Sequence, residues 1–322
     1  MKRLNNLYRN IYNIENITLA FNEVCKNTRN KRRVEFLKEC KSTYIADVYY
    51  TLIKKNYYPG PYNKFIIYEP KERLIVSQNM KDKIINHLVA RYILYPALLP
   101  CLLDINVASR KNMGTSKGID YSINFHRKCK IKYGIYYVLK CDISKFFASI
   151  NHDVLKEKLK RRIKDKDALK IVFDIIDSNT NGLFIGSMTN QVLAIFYLND
   201  MDHFIKETLK IKYYVRYQDD FLLFHPSKDY LKYCLKEIEK FLGKEKLVLN
   251  KKTRIFKCTN NFSFLGRDQK GNYVRYRNIK RKVKLRYNKY TQGLITLNSL
   301  TSSIICYKAL SRKNKILNKK EK

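Results

Sequence analysis

Tyr213-Tyr214-Val215-Arg216-Tyr217-Gln218-Asp219-Asp220-Phe221-Leu222-Leu223-Phe224 is the stretch that decides the fold of this chain. Apolar and aromatic residues on both sides predict two short strands. The intervening Gln218, Asp219 and Asp220 are poor strand formers and good turn formers. The stretch therefore predicts a tight hairpin with two adjacent carboxylates at its tip. Two anions held between apolar flanks repel each other unless a cation sits beside them. Mg²⁺ suits that position, because it takes one or two carboxylates and leaves room for water and substrate phosphates. A solvated Asp-Asp turn is the competing reading, but a surface turn does not need an apolar strand on each side.

The rest of the chain agrees with a polyanion-binding protein. Its 322 residues suffice for one large domain or two subdomains with a real core. A 45% hydrophobic and 29% charged composition is globular rather than disordered. The formal net charge of +38 is extreme for an enzyme of small metabolites. Self-repulsion on that scale is tolerated best where a polyanion neutralises it, with nucleic acid ahead of an anionic membrane. No apolar run reaches the roughly 18 residues of a membrane span. Residues 1–16 are polar and lack a signal-peptide core, so a cytoplasmic location is expected. Eight cysteines without C-x-x-C spacing predict reduced thiols rather than a zinc site.

A second acidic element lies upstream. Residues 136–141 predict a strand ending in Asp142-Ile143-Ser144-Lys145-Phe146-Phe147-Ala148-Ser149-Ile150, after which residues 151–153 open a helix. Asp142 in isolation also reads as a loop or capping acid. Further helices are expected over 152–162, 165–177 and 228–242, the last with Tyr230, Leu231, Cys234, Leu235, Ile238, Phe241 and Leu242 inward. Gly182 to Gln191 leads into an apolar helix; Gly186 lets a flat ligand or template base approach the backbone, or simply makes a left-handed turn.

Nearer the N-terminus, residues 1–60 hold short helical patterns with basic faces. Residues 64–76 predict strand, turn and strand, with Pro70 breaking the first strand and Lys71 and Arg73 placed to reach a triphosphate. From Lys81 the apolar period becomes helical, and Pro96 and Pro100 are expected to end that helix. Ser109 to Gly118 is a basic, glycine-containing loop that either wraps phosphates or lies plainly on the surface. Residues 247–256 predict strand–turn–strand and Phe262 to Gly266 the start of another hairpin. From Gly271 onward there are 15 Lys/Arg against one acid, Glu321, which predicts a small basic helical unit and tail.

Strands interleaved with helices, and acids at two distant strand ends, predict an α+β palm. Three carboxylates from neighbouring strands can hold two Mg²⁺ ions, one activating a 3′-hydroxyl and one stabilising a triphosphate. Phosphoryl transfer needs mainly such positioning and charge neutralisation.

The order of these motifs resembles reverse transcriptases over about residues 60–270. Tyr217-Gln218-Asp219-Asp220 resembles the family's Y-x-D-D box, and Asp142 to Ile150 its D-x-x-x-F-F-x-x-I box. Leu265-Gly266 resembles the primer-grip hairpin, Arg73 and Asp82 the finger motif of bacterial members, and Asn250-Lys251-Lys252-Thr253 the lysine-bearing motif. The resemblance implies a right-hand polymerase fold with an N-terminal helical extension (1–60), fingers (61–135), palm (136–270) and a short basic thumb and tail (271–322). It implies Asp142, Asp219 and Asp220 as metal ligands, with the Ile143 carbonyl, and two Mg²⁺ ions. Phe147 matches the gate against a 2′-hydroxyl, Lys71 and Arg73 the triphosphate contacts, and Lys252 the lysine proposed to protonate pyrophosphate. Tyr217 and Gln218 of the box, with Ile185, Gly186 and Gln191, would then border the incoming nucleotide.

Ile185-Gly186-Ser187-Met188-Thr189-Asn190-Gln191 departs from the common Q-G-x-x-x-S-P and is similar to the [I/V/L]-G-x-x-x-S-Q form of diversity-generating retroelement reverse transcriptases, with Asn190 replacing the serine. That resemblance implies error-prone copying at template adenines, a structured template RNA, an RNA/cDNA hybrid, dNTP substrates and a basic oligomeric accessory protein. Asn190 and Gln218 leave a phage-defence or orphan group II-like enzyme as an alternative, and a catalytically idle RNA-binding palm as another.

Overall fold

The computed structural model describes residues 3–28, 30–67, 73–260, 262–270, 273–276, 279–305, 307 and 308. Three helices, Ile14–Asn27, Lys31–Glu39 and Lys41–Ile53, open the chain; the first and third pack on helix Met80–Val89. Side-chain caps from Asn13, Asn30 and Asn79 accept the orphan N–H groups at three of these four helix starts. Between them, β1 (Asn63–Ile67) and β2 (Arg73–Ser77) form an antiparallel pair. Its turn, with Pro70 and Lys71, lies outside the described residues.

Pro96 does not end the helix that begins at Met80. A wider turn over Ala90–Leu94, closed by the Tyr95 N–H on the Ala90 carbonyl, makes room for the proline ring, and helical turns continue to Cys101. The whole Met80–Cys101 segment is 22 residues long and, by length and composition, apolar enough to cross a membrane, against the expectation from sequence. Ile84, Ile85, Leu88, Val89, Ile93 and Leu94 are nevertheless fully buried in the main core, so the helix is a core helix of this fold.

The central sheet is antiparallel. It contains β3 (Tyr137–Asp142), β4 (Tyr213–Tyr217), β5 (Asp220–His225) and β6 (Arg254–Lys257), in the order β4-β5-β3-β6. Side chains alternate between its two faces. Leu139, Cys141, Tyr214, Phe221 and Leu223 join the core under helix Lys228–Lys244. Val138, Val215, Leu222 and Phe224 join a second core under helix Thr115–Tyr133. With both faces covered, the strands read as continuous apolar runs. By the same alternation Lys140 and Asp142 share the second face, where the apolar pattern gives way to charge.

Helix Thr115–Tyr133 was not expected. Its buried face is Gly118, Ile119, Ser122, Phe125, His126 and Cys129, small and polar enough to hide the apolar period. The expected strand at 247–250 shrinks to a single bridge, Ile143 opposite Leu249, because the chain there only skirts the end of β3. A third sheet, β7 (Phe262–Phe264), β8 (Arg267–Lys270) and β9 (Tyr273–Tyr276), extends the hairpin expected at Phe262. Helix Ile279–Thr291 follows, as the basic C-terminal composition suggested.

Candidate active site

Asp142 is the last residue of β3 and Asp220 the first of β5, and the two are direct cross-strand partners. The hairpin between β4 and β5 closes with Tyr217 opposite Asp220, leaving Gln218 and Asp219 as a two-residue turn. Gln218 has φ 56°, the left-handed region that a tight hairpin of this length demands. The Ile143 N–H donates to the Asp219 carbonyl at 3.3 Å, so the turn is stitched to the chain leaving β3. The three acids foreseen from sequence thus come from two adjoining strand ends, as does Ile143.

Burial pushes the Asp220 carboxyl up to about 7, helped by the neighbouring charges of Asp142 and Asp219 and opposed by Lys140. Its Oδ1 is buried without a hydrogen bond. Lys140 Nζ lies 3.6 Å from that oxygen and also donates to the Ser263 carbonyl of β7. Asn250 holds Asp142 from the other side: its N–H donates to the Asp142 carbonyl at 2.7 Å and its Nδ2 to Oδ2 at 3.1 Å. Neither Lys140 nor Asn250 was singled out as a site residue from sequence. A cation sharing a face with Asp142 two residues away was the available signal for Lys140.

Among the described residues no set of three or more His, Cys, Asp and Glu side chains is gathered as a ready metal cage. The donor chemistry still fits a divalent cation. Two carboxylates face each other, one buried oxygen accepts no hydrogen bond, and the electrostatic strain on Asp220 is of the kind a cation relieves.

The other foreseen residues divide into those drawn to this centre and those apart. Gln218 Nε2 donates to Ser109 Oγ at 3.0 Å, and Ser109 Oγ in turn donates to Gln191 Oε1 at 3.5 Å. The basic loop therefore touches the Gln218–Asp219 turn at Ser109. Tyr217 is half-buried on β4. Ile185 and Gly186 lie against β2: the Val76 N–H donates to the Ile185 carbonyl at 3.3 Å, and a Cβ on Gly186 would come within 2.6 Å of the Val76 carbonyl. Phe147, half-buried on helix Phe146–Ser149, has its carbonyl bonded by the Leu183 N–H at 2.7 Å. Lys252 is exposed, two residues past Asn250, and its N–H donates to Asn250 Oδ1. Asp82 is structural: it is buried and accepts from the Tyr57 hydroxyl and the Gly60 N–H. Arg73 opens β2, and Lys71 lies outside the described residues.

A family model described as reverse transcriptase (RNA-dependent DNA polymerase) matches residues 54–268. The chain belongs to the reverse transcriptase family. The match shows a reverse transcriptase domain over residues 54–268, the domain type of RNA-directed DNA polymerases. No curated protein sequence matches it. Solved structures share its fold, two telomerases among them. A telomerase from Candida albicans, in complex with a fragment of telomeric RNA, aligns with TM-score 0.52 and 14% identity, covering 88% of this reverse transcriptase and 59% of that chain. An apo telomerase from Candida tropicalis, truncated from its C-terminal domain, aligns with TM-score 0.50 and 17% identity, covering 76% and 60%. This chain thus spans about three fifths of those telomerase chains, and at that identity the likeness is one of fold: α+β, in the right-hand polymerase arrangement.

Proposed function

We propose that this reverse transcriptase copies an RNA template into cDNA, adding dNTPs to a 3′-hydroxyl at the meeting point of β3 and the β4–β5 turn. Asp142, Asp219 and Asp220, with the Ile143 carbonyl, would hold two Mg²⁺ ions. When bound, such ions supply Lewis-acid activation of the 3′-hydroxyl and neutralise the triphosphate. The chain's own residues orient the reactants. Asn250 fixes the Asp142 carboxylate. Phe147 borders the sugar. Lys71 and Arg73 reach the triphosphate, and Lys252 delivers the proton that the departing pyrophosphate takes up. Ile185, Gly186 and Gln191 flank the nascent base pair, with Gln191 joined to Gln218 through Ser109. The observation that carries this reading is the Asp142–Asp220 pair, two anions facing each other, with a buried Asp220 oxygen that accepts no hydrogen bond and has only Lys140 at 3.6 Å to offset it. Primer extension on an RNA template tests it: incorporation of dNTPs in preference to rNTPs is expected, and no Mg²⁺-dependent extension on any template contradicts it.

We place the division into extension, fingers, palm and thumb at 1–60, 61–135, 136–270 and 271–322, and the enzyme in the cytoplasm. We assign the subtype to the diversity-generating retroelement class, with an accessory basic oligomer and a structured template RNA as partners. The aliphatic Ile185 against β2 supports this, since it offers no polar contact to a template base. Ile185→Gln should lower misincorporation opposite template adenine; an unaltered error spectrum argues for a phage-defence or orphan group II-like enzyme.

A further inference from the structure

Arg216 lies on β4, three residues before Asp219, and is fully buried, as is Asp202 on helix Asn199–His203. The guanidinium Nε donates to Asp202 Oδ1 at 2.7 Å and Nη2 to Oδ2 at 2.5 Å, and the Tyr214 hydroxyl donates to Oδ1 at 2.6 Å. Two further bonds leave this pair. Nη2 donates to the Ile195 carbonyl at 3.1 Å, and Nη1 donates to the Gln218 carbonyl at 2.9 Å. The Arg216 backbone is itself pinned, its N–H on the Ile105 carbonyl and its carbonyl taken by the Val107 N–H.

Removing two full charges from water carries a desolvation cost that their attraction barely repays, and apolar residues of like volume commonly serve stability as well. Stability is therefore a weak account of this pair. Its geometry is specific. The Gln218 carbonyl is gripped by Arg216 and the next one, of Asp219, by the Ile143 N–H. The peptides on both sides of Asp219 are thus fixed in a turn whose φ of 56° at Gln218 is otherwise uncommon for a residue with a side chain. Only a planar fork with several donors reaches Asp202, Ile195 and Gln218 together; a lysine ammonium does not.

We propose that Arg216, oriented by Asp202, is a positioning residue for polymerisation. It clamps the Gln218–Asp219 peptide so that the Asp219 and Asp220 carboxylates are preorganised, and it ties that turn to helix Met188–Tyr197 through Ile195. The proposal rests on the reading that these acids hold divalent cations.

The test compares wild type, Arg216→Lys, and an apolar triple variant (Arg216→Met, Asp202→Leu, Tyr214→Phe). Thermal unfolding, Mn²⁺ binding by electron paramagnetic resonance, and kcat and KM for dNTP incorporation are measured on each, with Asp219→Asn as the reference for lost Mn²⁺ binding. In Arg216→Lys, Mn²⁺ should bind about 10-fold more weakly, the scale set by losing a ligand-orienting neighbour. Its kcat should fall about 10- to 100-fold while KM stays within about threefold, as expected of misplaced catalytic groups. The triple variant should unfold near the wild-type temperature yet show the same losses. A triple variant with wild-type Mn²⁺ affinity and kcat overturns the clamp and leaves the pair a packing feature; this holds even if Arg216→Lys fails to fold. Wild type that binds no Mn²⁺, or binds it as Asp219→Asn does, overturns the metal reading and the clamp together.

Discussion

Asp142 and Asp220 stand directly opposite each other on neighbouring antiparallel strands, two acids in register at the end of the central sheet. Like charges so placed are destabilising, and burial adds to the cost, as the rise of Asp220 to about 7 records. A folded-state value above the ordinary 3.8 means that ionised Asp220 works against folding, increasingly so as pH rises from about 4 to about 7, and by a constant amount above that. Asp220→Asn should therefore stabilise the metal-free protein at pH 8 by about 2 kcal/mol, roughly 2–4 °C in melting temperature, while abolishing incorporation. Melting in EDTA checks this; a lower melting temperature would contradict it.

Lys140 is the counterweight. It lies between Asp220 and the Ser263 carbonyl, so it both offsets the acid and anchors β7 to β3. Lys140→Met leaves a half-buried carbonyl and a half-buried carboxylate without their cation, which costs about 1–3 kcal/mol. The loss in EDTA should be larger at pH 8 than at pH 6, and Mg²⁺ should recover part of it. Equal losses at both pH values would show that only the β7 tether matters.

Gly182 has φ 60°, and a Cβ there would strike the Phe147 carbonyl oxygen and the Ala148 backbone. Gly182→Ala should displace helix Phe146–Ser149 at a cost on the order of 1–3 kcal/mol and weaken discrimination between dNTPs and rNTPs. Discrimination measured by competitive primer extension should fall; unchanged selectivity in a folded variant would detach Phe147 from sugar recognition.

His126 is buried between Tyr136, Phe224 and Phe262, and burial lowers it to about 4. The unfolded chain takes up this proton near the ordinary 6.5 and the folded chain only near 4. The stability His126 contributes is therefore complete above about 6.5 and is lost as pH falls toward 4, by about 3 kcal/mol at most. His126→Gln keeps a partner for the Tyr136 hydroxyl and removes the titration. Urea unfolding from pH 7 to 4.5 should show a shallower acid slope in the variant; identical slopes would contradict it.

Much of this was legible in the chain. The β4–β5 hairpin, β3 ending in an acid, and the helices after Asn151, Asp165 and Ser227 follow from apolar period, capping residues and turn chemistry. Hidden features depended on partners distant in sequence. Helix Thr115–Tyr133 buries Gly118, Ser122 and His126 where an apolar stripe was sought. Pro96 is accommodated by a widened turn rather than acting as a stop. Lys140 and Asn250 acquire meaning only when β3 meets β7 and the 247–253 segment. Arg216 carries no local signal, because its partner Asp202 lies on a separate helix.

The most direct measurement is Mg²⁺-dependent dNTP incorporation on an RNA template by Asp219→Asn beside wild type, with RNA affinity measured on the same preparations. Incorporation should fall by about 10³-fold or more, as when an electrostatic centre of phosphoryl transfer is removed, with RNA binding changed less than about twofold. Undiminished incorporation by Asp219→Asn would contradict the assignment of this turn as the polymerising centre.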